Sequence, residues 1–119
     1  MSGTTTITVT PANLIASQYV PNSQTTMFTS GSGSNGTVFK KVTFTNVTAS
    51  PVTVSVNRVP FAGTAATSNL VMDAVTIPPV GQTYIANELN GVTLGLGDFL
   101  SMVASAANAV VVTASGYTF

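Results

Sequence analysis

The chain contains no cysteine, no histidine and no tryptophan, and only 5% of its residues are charged. Without cysteine, disulfides and thiol chemistry are excluded, and the redox compartment leaves no trace. Without histidine, the commonest general base is missing, together with the Ser-His and Cys-His dyads. A carboxylate pair for glycoside hydrolysis has only Asp73, Glu88 and Asp98 to draw on, and a sugar-processing cleft also calls for several aromatics. No enzymatic activity is expected, and no residue is assigned a catalytic, cofactor-binding or metal-binding role.

Charge is the scarcest property. Soluble proteins carry roughly 25% charged residues, whereas here Lys40, Lys41, Arg58, Asp73, Glu88 and Asp98 are the whole inventory and sum to zero. Three cations cannot neutralise many phosphates, so no nucleic-acid partner is expected. A polybasic membrane patch is absent for the same reason. Near-zero net charge favours association. The exterior is therefore buried against copies of itself or a larger assembly, or else solvated by the abundant threonine, serine and asparagine.

No window approaches the roughly 18 consecutive apolar residues of a membrane helix. The opening Met1-Ser2-Gly3-Thr4-Thr5-Thr6 has neither a basic nor an apolar signal region, so synthesis in a cytosol without the secretory route is expected.

What is present is alternation of period two. Lys40 to Asn57 reads as a β-hairpin: Val42 and Phe44 alternate with Thr43 and Thr45, then Val52, Val54 and Val56 alternate with Thr53, Ser55 and Asn57. Pro51 fits the turn or the start of the second arm. Elsewhere, Thr4–Thr10 reads as a strand ended by Pro11. Asn13–Val20 is either one helical turn or an irregular strand. Thr25–Thr29 is a strand, followed by a Gly/Ser tip at Ser30–Gly36.

Leu70–Met72 and Val75–Ile77 read as strand pieces around Asp73, or one strand with a bulge. Pro78-Pro79-Val80-Gly81 is a turn. Thr83–Ile85 and Phe99–Ala104 are strands, and Ala109–Tyr117 is a closing strand buried on both faces. With no amphipathic helix, no repeat and 119 residues, the expectation is all-β. One antiparallel β-sandwich of about eight short strands, jelly-roll or Ig-like, spans 1–119, with an extended N-terminal segment over about 1–20.

Few residues invite chemistry, and each has a plainer role. Asn87, Glu88, Asn90 and Asp98 have the oxygens of a Ca²⁺ site, but Asp98 after Gly97 also suits a turn, accepting backbone N–H bonds. Asn35-Gly36-Thr37 and Asn46-Val47-Thr48 match the N-glycosylation pattern, as chance matches in a chain without a secretory signal. Tyr19, Tyr84 and Tyr117 have faces that stack on sugars or simply pack. Lys40 and Lys41 are neighbours on one strand, so alternation sends one toward the inner side or the rim.

The order of several phrases resembles small virion proteins of tailed bacteriophages: Tyr19-Val20-Pro21, Val42-Thr43-Phe44-Thr45-Asn46, Val52-Thr53-Val54, Val59-Pro60, Gly63-Thr64-Ala65 and Ser68-Asn69-Leu70. It continues through Gly81-Gln82-Thr83-Tyr84, Glu88-Leu89, Gly97-Asp98 and Ser105-Ala106-Ala107. The tip at Ser30–Gly36 departs from that pattern. The resemblance implies a non-enzymatic β-sandwich subunit of a phage particle. Such a subunit is a capsid decoration or cement protein, often trimeric, or a component of the neck, tail or fibres. The implied partners are further copies of the chain and the major capsid protein or other virion proteins. The implied location is the virion, after synthesis in host cytoplasm.

Overall fold

The computed structural model describes residues 9–31 and 36–119. Among them lie nine strands: β1 (Thr10–Tyr19), β2 (Thr25–Thr29), β3 (Gly36–Asn46), β4 (Val52–Val59), β5 (Leu70–Ile77), β6 (Thr83–Ile85), β7 (Thr93–Gly95), β8 (Phe99–Ala104) and β9 (Val110–Thr118). Two short 3₁₀ turns, Thr67–Asn69 and Asn87–Leu89, are the only helical pieces there. The strands form two antiparallel sheets. The first has the order β1-β9-β3-β6, with β7 also on β3, and the second has the order β2-β8-β4-β5.

That order is a jelly roll. Consecutive strands from β1 to β4 alternate between the sheets, β5 pairs beside β4, and β8 and β9 return between the strands laid down first. β6 and β7 both pair with β3, so they are two pieces of one strand position interrupted by the Asn87–Leu89 turn. Of the two architectures expected, the strand order selects this one.

The hairpin expected over Lys40–Asn57 does not form. β3 pairs with β9, β6 and β7, whereas β4 pairs with β5 and β8 in the opposite sheet. Each arm shows one apolar face to the core, and alternation is the same whether the next strand lies beside it or across the core. Asn46 decides the matter. Its side chain is fully buried, and Nδ2 donates to the carbonyls of Ser50 (2.8 Å) and Ile77 (3.1 Å). Its Oδ1 accepts the Thr48 N–H (2.9 Å) and hydroxyl (2.7 Å). These bonds set the crossing between sheets and tie it to the end of β5.

Pro11 does not end a strand. It lies inside β1 opposite Tyr117, on an edge strand where its missing N–H costs no ladder bond. Asn13–Val20 is an irregular strand, with register shifts between Asn13 and Ile15 and between Ile15 and Gln18. From Thr10 the N-terminal segment is thus part of the sandwich; most of the strand expected at Thr4–Thr10 lies outside the described residues. β5 is one strand with a bulge, where Ala74 adopts φ 47° and donates its N–H to Ser55 Oγ at 2.9 Å. β9 alternates: Val110, Val112 and Ala114 are buried, and Val111 and Thr113 are half-buried on the outer face.

The core fills the space between the sheets with Phe39, Val42 and Phe44 of β3, Val54 and Val56 of β4, and Leu100 and Met102 of β8, all fully buried. Each such side chain contributes about 1.5–3 kcal/mol on burial. Phe28 of β2 meets Phe39 edge to face, with ring centroids 5.3 Å apart, joining the sheets at one end.

Candidate functional site

Phe61, Val80 and Leu96, the most exposed large apolar side chains among the described residues, sit on turns at opposite ends of the sandwich. At the end where β3 begins and β4 finishes, Phe61 is 73% exposed and Leu96 is 61% exposed. The Phe61 ring lies so close over Gly97 that no Cβ fits there, and Gly97 has φ 85°, a conformation that suits glycine. Asp98 fixes the pair, because Oδ1 accepts the Phe61 N–H at 2.9 Å and Oδ2 accepts the Gly95 N–H at 3.0 Å. The Gly97 N–H donates to Ser30 O (2.8 Å), and the Ser30 N–H donates to Asp98 O (2.9 Å). An aromatic ring is thus held out to solvent on a braced turn.

At the far end, where β3 finishes, Val47 is 50% exposed and Val80 is 73% exposed. Val80 has φ 60°, which is strained for a β-branched residue. Its N–H donates to Thr48 O and that of Gly81 to Asn46 O, both at 2.7 Å, so the Asn46 crossing holds this strained valine outward.

The oxygens considered for Ca²⁺ are engaged locally. Asp98 serves its turn as described, and Glu88 accepts the Tyr84 hydroxyl at 2.8 and 3.0 Å. That hydrogen bond, then burial, then the negative charge of Glu88 raise the Tyr84 phenol above the ordinary tyrosine value. Asn90 Nδ2 lies 3.5 Å from Asn87 Oδ1, at the limit of a hydrogen bond. Among the described residues, no three acidic side chains come together. Asn46 of the glycosylation-like motif is buried and bonded as above; Asn35 lies outside the described residues, as does most of the Gly/Ser tip.

The tyrosines do not form one platform. Tyr19 pairs with Val111, whereas Tyr117 lies six positions further along β9, roughly 20 Å away. Tyr84 is at the β6 edge with Glu88. Lys40 and Lys41 correct the alternation argument, because both are exposed. A bulge between Phe39 and Lys41 sets the extra residue against β9, so the buried parity changes from Thr37 and Phe39 to Val42 and Phe44. Lys40 Nζ lies 3.3 Å from Tyr117 Oη and 5.8 Å from its ring centroid.

Two features were missed in the sequence. Arg58 reaches from the end of β4 to Thr93 O of β7 (2.6 and 3.0 Å), bridging the sheets. Asn57 anchors the loop between β4 and β5: Nδ2 donates to Ala66 O (2.8 Å) and Asn69 Oδ1 (2.7 Å). Alternation places Asn57 on the outward polar parity, and only the loop folding over it makes it buried. Comparison with family models, curated proteins and solved structures gave no match to this chain.

Proposed function

We propose that this chain is a structural subunit of a bacteriophage particle, a cement protein that adds onto the capsid shell. The supporting observation is the pair of braced apolar ends, Phe61 with Leu96 and Val47 with Val80. Exposed apolar side chains held on hydrogen-bonded turns lose little conformational freedom when a partner covers them. A strained valine kept outward by backbone bonds to Thr48 and, through Gly81, to the buried Asn46 fits an adhesive end better than a solvated loop. The jelly roll is a recurrent architecture of capsid proteins, an argument by analogy of fold, and the resemblance of the sequence to phage virion proteins points the same way. Each copy covers a joint between shell subunits, and the shell resists expansion through the sum of many modest contacts.

Particles lacking the protein should release their genome at a lower temperature than complete ones. Added wild-type protein should restore the difference, and Phe61→Ser/Leu96→Ser protein should restore less. Equal heat resistance with and without the protein would sink the cement role. Particle imaging that found copies only at the neck, tail or fibres would move the function to joining or adhesion.

A further inference from the structure

The charges on the two broad faces are segregated by sign. Lys40 and Lys41 both project from the outer face of the first sheet, since the bulge in β3 turns them the same way and their neighbours Ser115 and Tyr117 lie on the outward parity of β9. Asp73 is exposed on the opposite side of the molecule. It lines a groove of about 450 Å³ on the outer face of the second sheet, with Gln24, Ser55, Asn57, Thr67 and Val103. The other charges lie elsewhere: Arg58 and Asp98 at the Phe61 end, and Glu88 at the β6 edge.

The lysine face is also prepared for covering. Its hydroxyls bond sideways across strands, Ser17 to Thr113 at 2.9 Å and Thr45 to Thr83 at 3.2 Å. Groups already paired with each other lose little when water is removed. Ile85 and Tyr19, 48% and 47% exposed, border the same face. The groove opposite offers a carboxylate and a serine hydroxyl, acceptors suited to an ammonium.

We propose that a second copy of this chain is the partner of both faces. The Lys40–Lys41 face of one copy docks onto the Asp73 groove of the next. This contact specifies the self-association within the assembly reading above and rests on it. Because the two patches are different surfaces on opposite sides of one sandwich, the contact is heterologous and repeats from copy to copy. The charges set register and partner choice, and the covered hydroxyl and apolar surface supplies most of the affinity.

The test uses isolated full-length protein in sedimentation velocity over a concentration series at low and high salt. Wild type should form species that grow with concentration and associate more weakly at high salt, which screens the charges. Asp73→Lys alone, and Lys40→Glu/Lys41→Glu alone, should each weaken association by about tenfold or more while retaining the wild-type circular dichroism. An equimolar mixture of the two should recover it, because every joint in an alternating stack is again of opposite sign. Failure of the mixture to recover, undiminished association of either variant alone, or a wild type that stays monomeric would each overturn the contact. The particle heat-resistance experiment would still decide the cement role separately.

Discussion

Asn46 continues the inward parity of Val42 and Phe44, so its amide enters the core and must find partners there or destabilise it. It finds four, two through Nδ2 and two through Oδ1. Asn46→Ala strips the donor from the carbonyls of Ser50 and Ile77 and the acceptor from the Thr48 N–H. Leaving buried polar groups unpaired costs about 1–3 kcal/mol each, with partial recovery through relaxation and water. The expected loss is about 2–4 kcal/mol in urea denaturation. Asn46→Asp keeps the acceptor but turns an oxygen toward the two carbonyls. Its stability should rise as pH falls, because a protonated carboxyl donates again and burial raises its pKa. A loss under about 0.5 kcal/mol for Asn46→Ala would mean that the crossing is held by the backbone bonds of Val80 and Gly81 instead.

At the scale of elements, the sequence was legible where strands are regular and opaque where they are not. β2 and β8 have the bounds that alternation and turn residues mark, Thr25–Thr29 and Phe99–Ala104. β1 was obscured by Pro11 and by two register shifts, each of which breaks the period-two signal. β7, only Thr93–Gly95 long, is too short to carry a pattern and exists because β3 offers it a ladder. The bulge in β3 was written in the sequence as a change of parity between Phe39 and Val42, with two lysines across it.

A deletion tests that bulge. Removing Lys40 leaves Phe39, Lys41 and Val42 in unbroken in-out-in order, with Phe39 still opposite Gly116 and Lys41 opposite Ser115. Removing Thr43 instead sends half of β3 to the wrong face, because one residue of slip reverses every side chain. The Lys40 deletion should therefore fold, losing no more than about 2 kcal/mol of stability in thermal or urea melts. The Thr43 deletion should lose the cooperative transition. Equal damage from both would show that the local twist of the bulge, rather than parity alone, is required.

Across the whole molecule, the jelly roll makes distant segments neighbours. β1 pairs with β9 from Thr10 opposite Thr118 to Tyr19 opposite Val111, so the first and last described strands share one ladder. Such pairing was invisible in the sequence, because alternation states which face of a strand is buried and not which strand lies beside it. The consequence is kinetic, since non-local pairing must overcome loop-closure entropy before it gains contacts. A circular permutant removes that obstacle for one ladder. Joining Phe119 to Met1 lets residues 1–9 serve as the connection, and nine residues reach well beyond the spacing of paired strands. The new ends belong between Ala106 and Ala107, in the turn from β8 to β9. There the Ser105 N–H bond to Thr53 O and the Ser105 Oγ bond to the Thr53 N–H both lie on one side of the cut and are retained. The permutant should keep the native circular dichroism and a single cooperative transition, because every ladder survives. It should refold about threefold faster or more in stopped-flow dilution from urea, because β9 and β1 now form a local pair. A permutant that folds at the parental rate would place the β1–β9 pairing after the rate-limiting step, leaving closure of β8 between β2 and β4, which the permutation does not shorten, as the slow event.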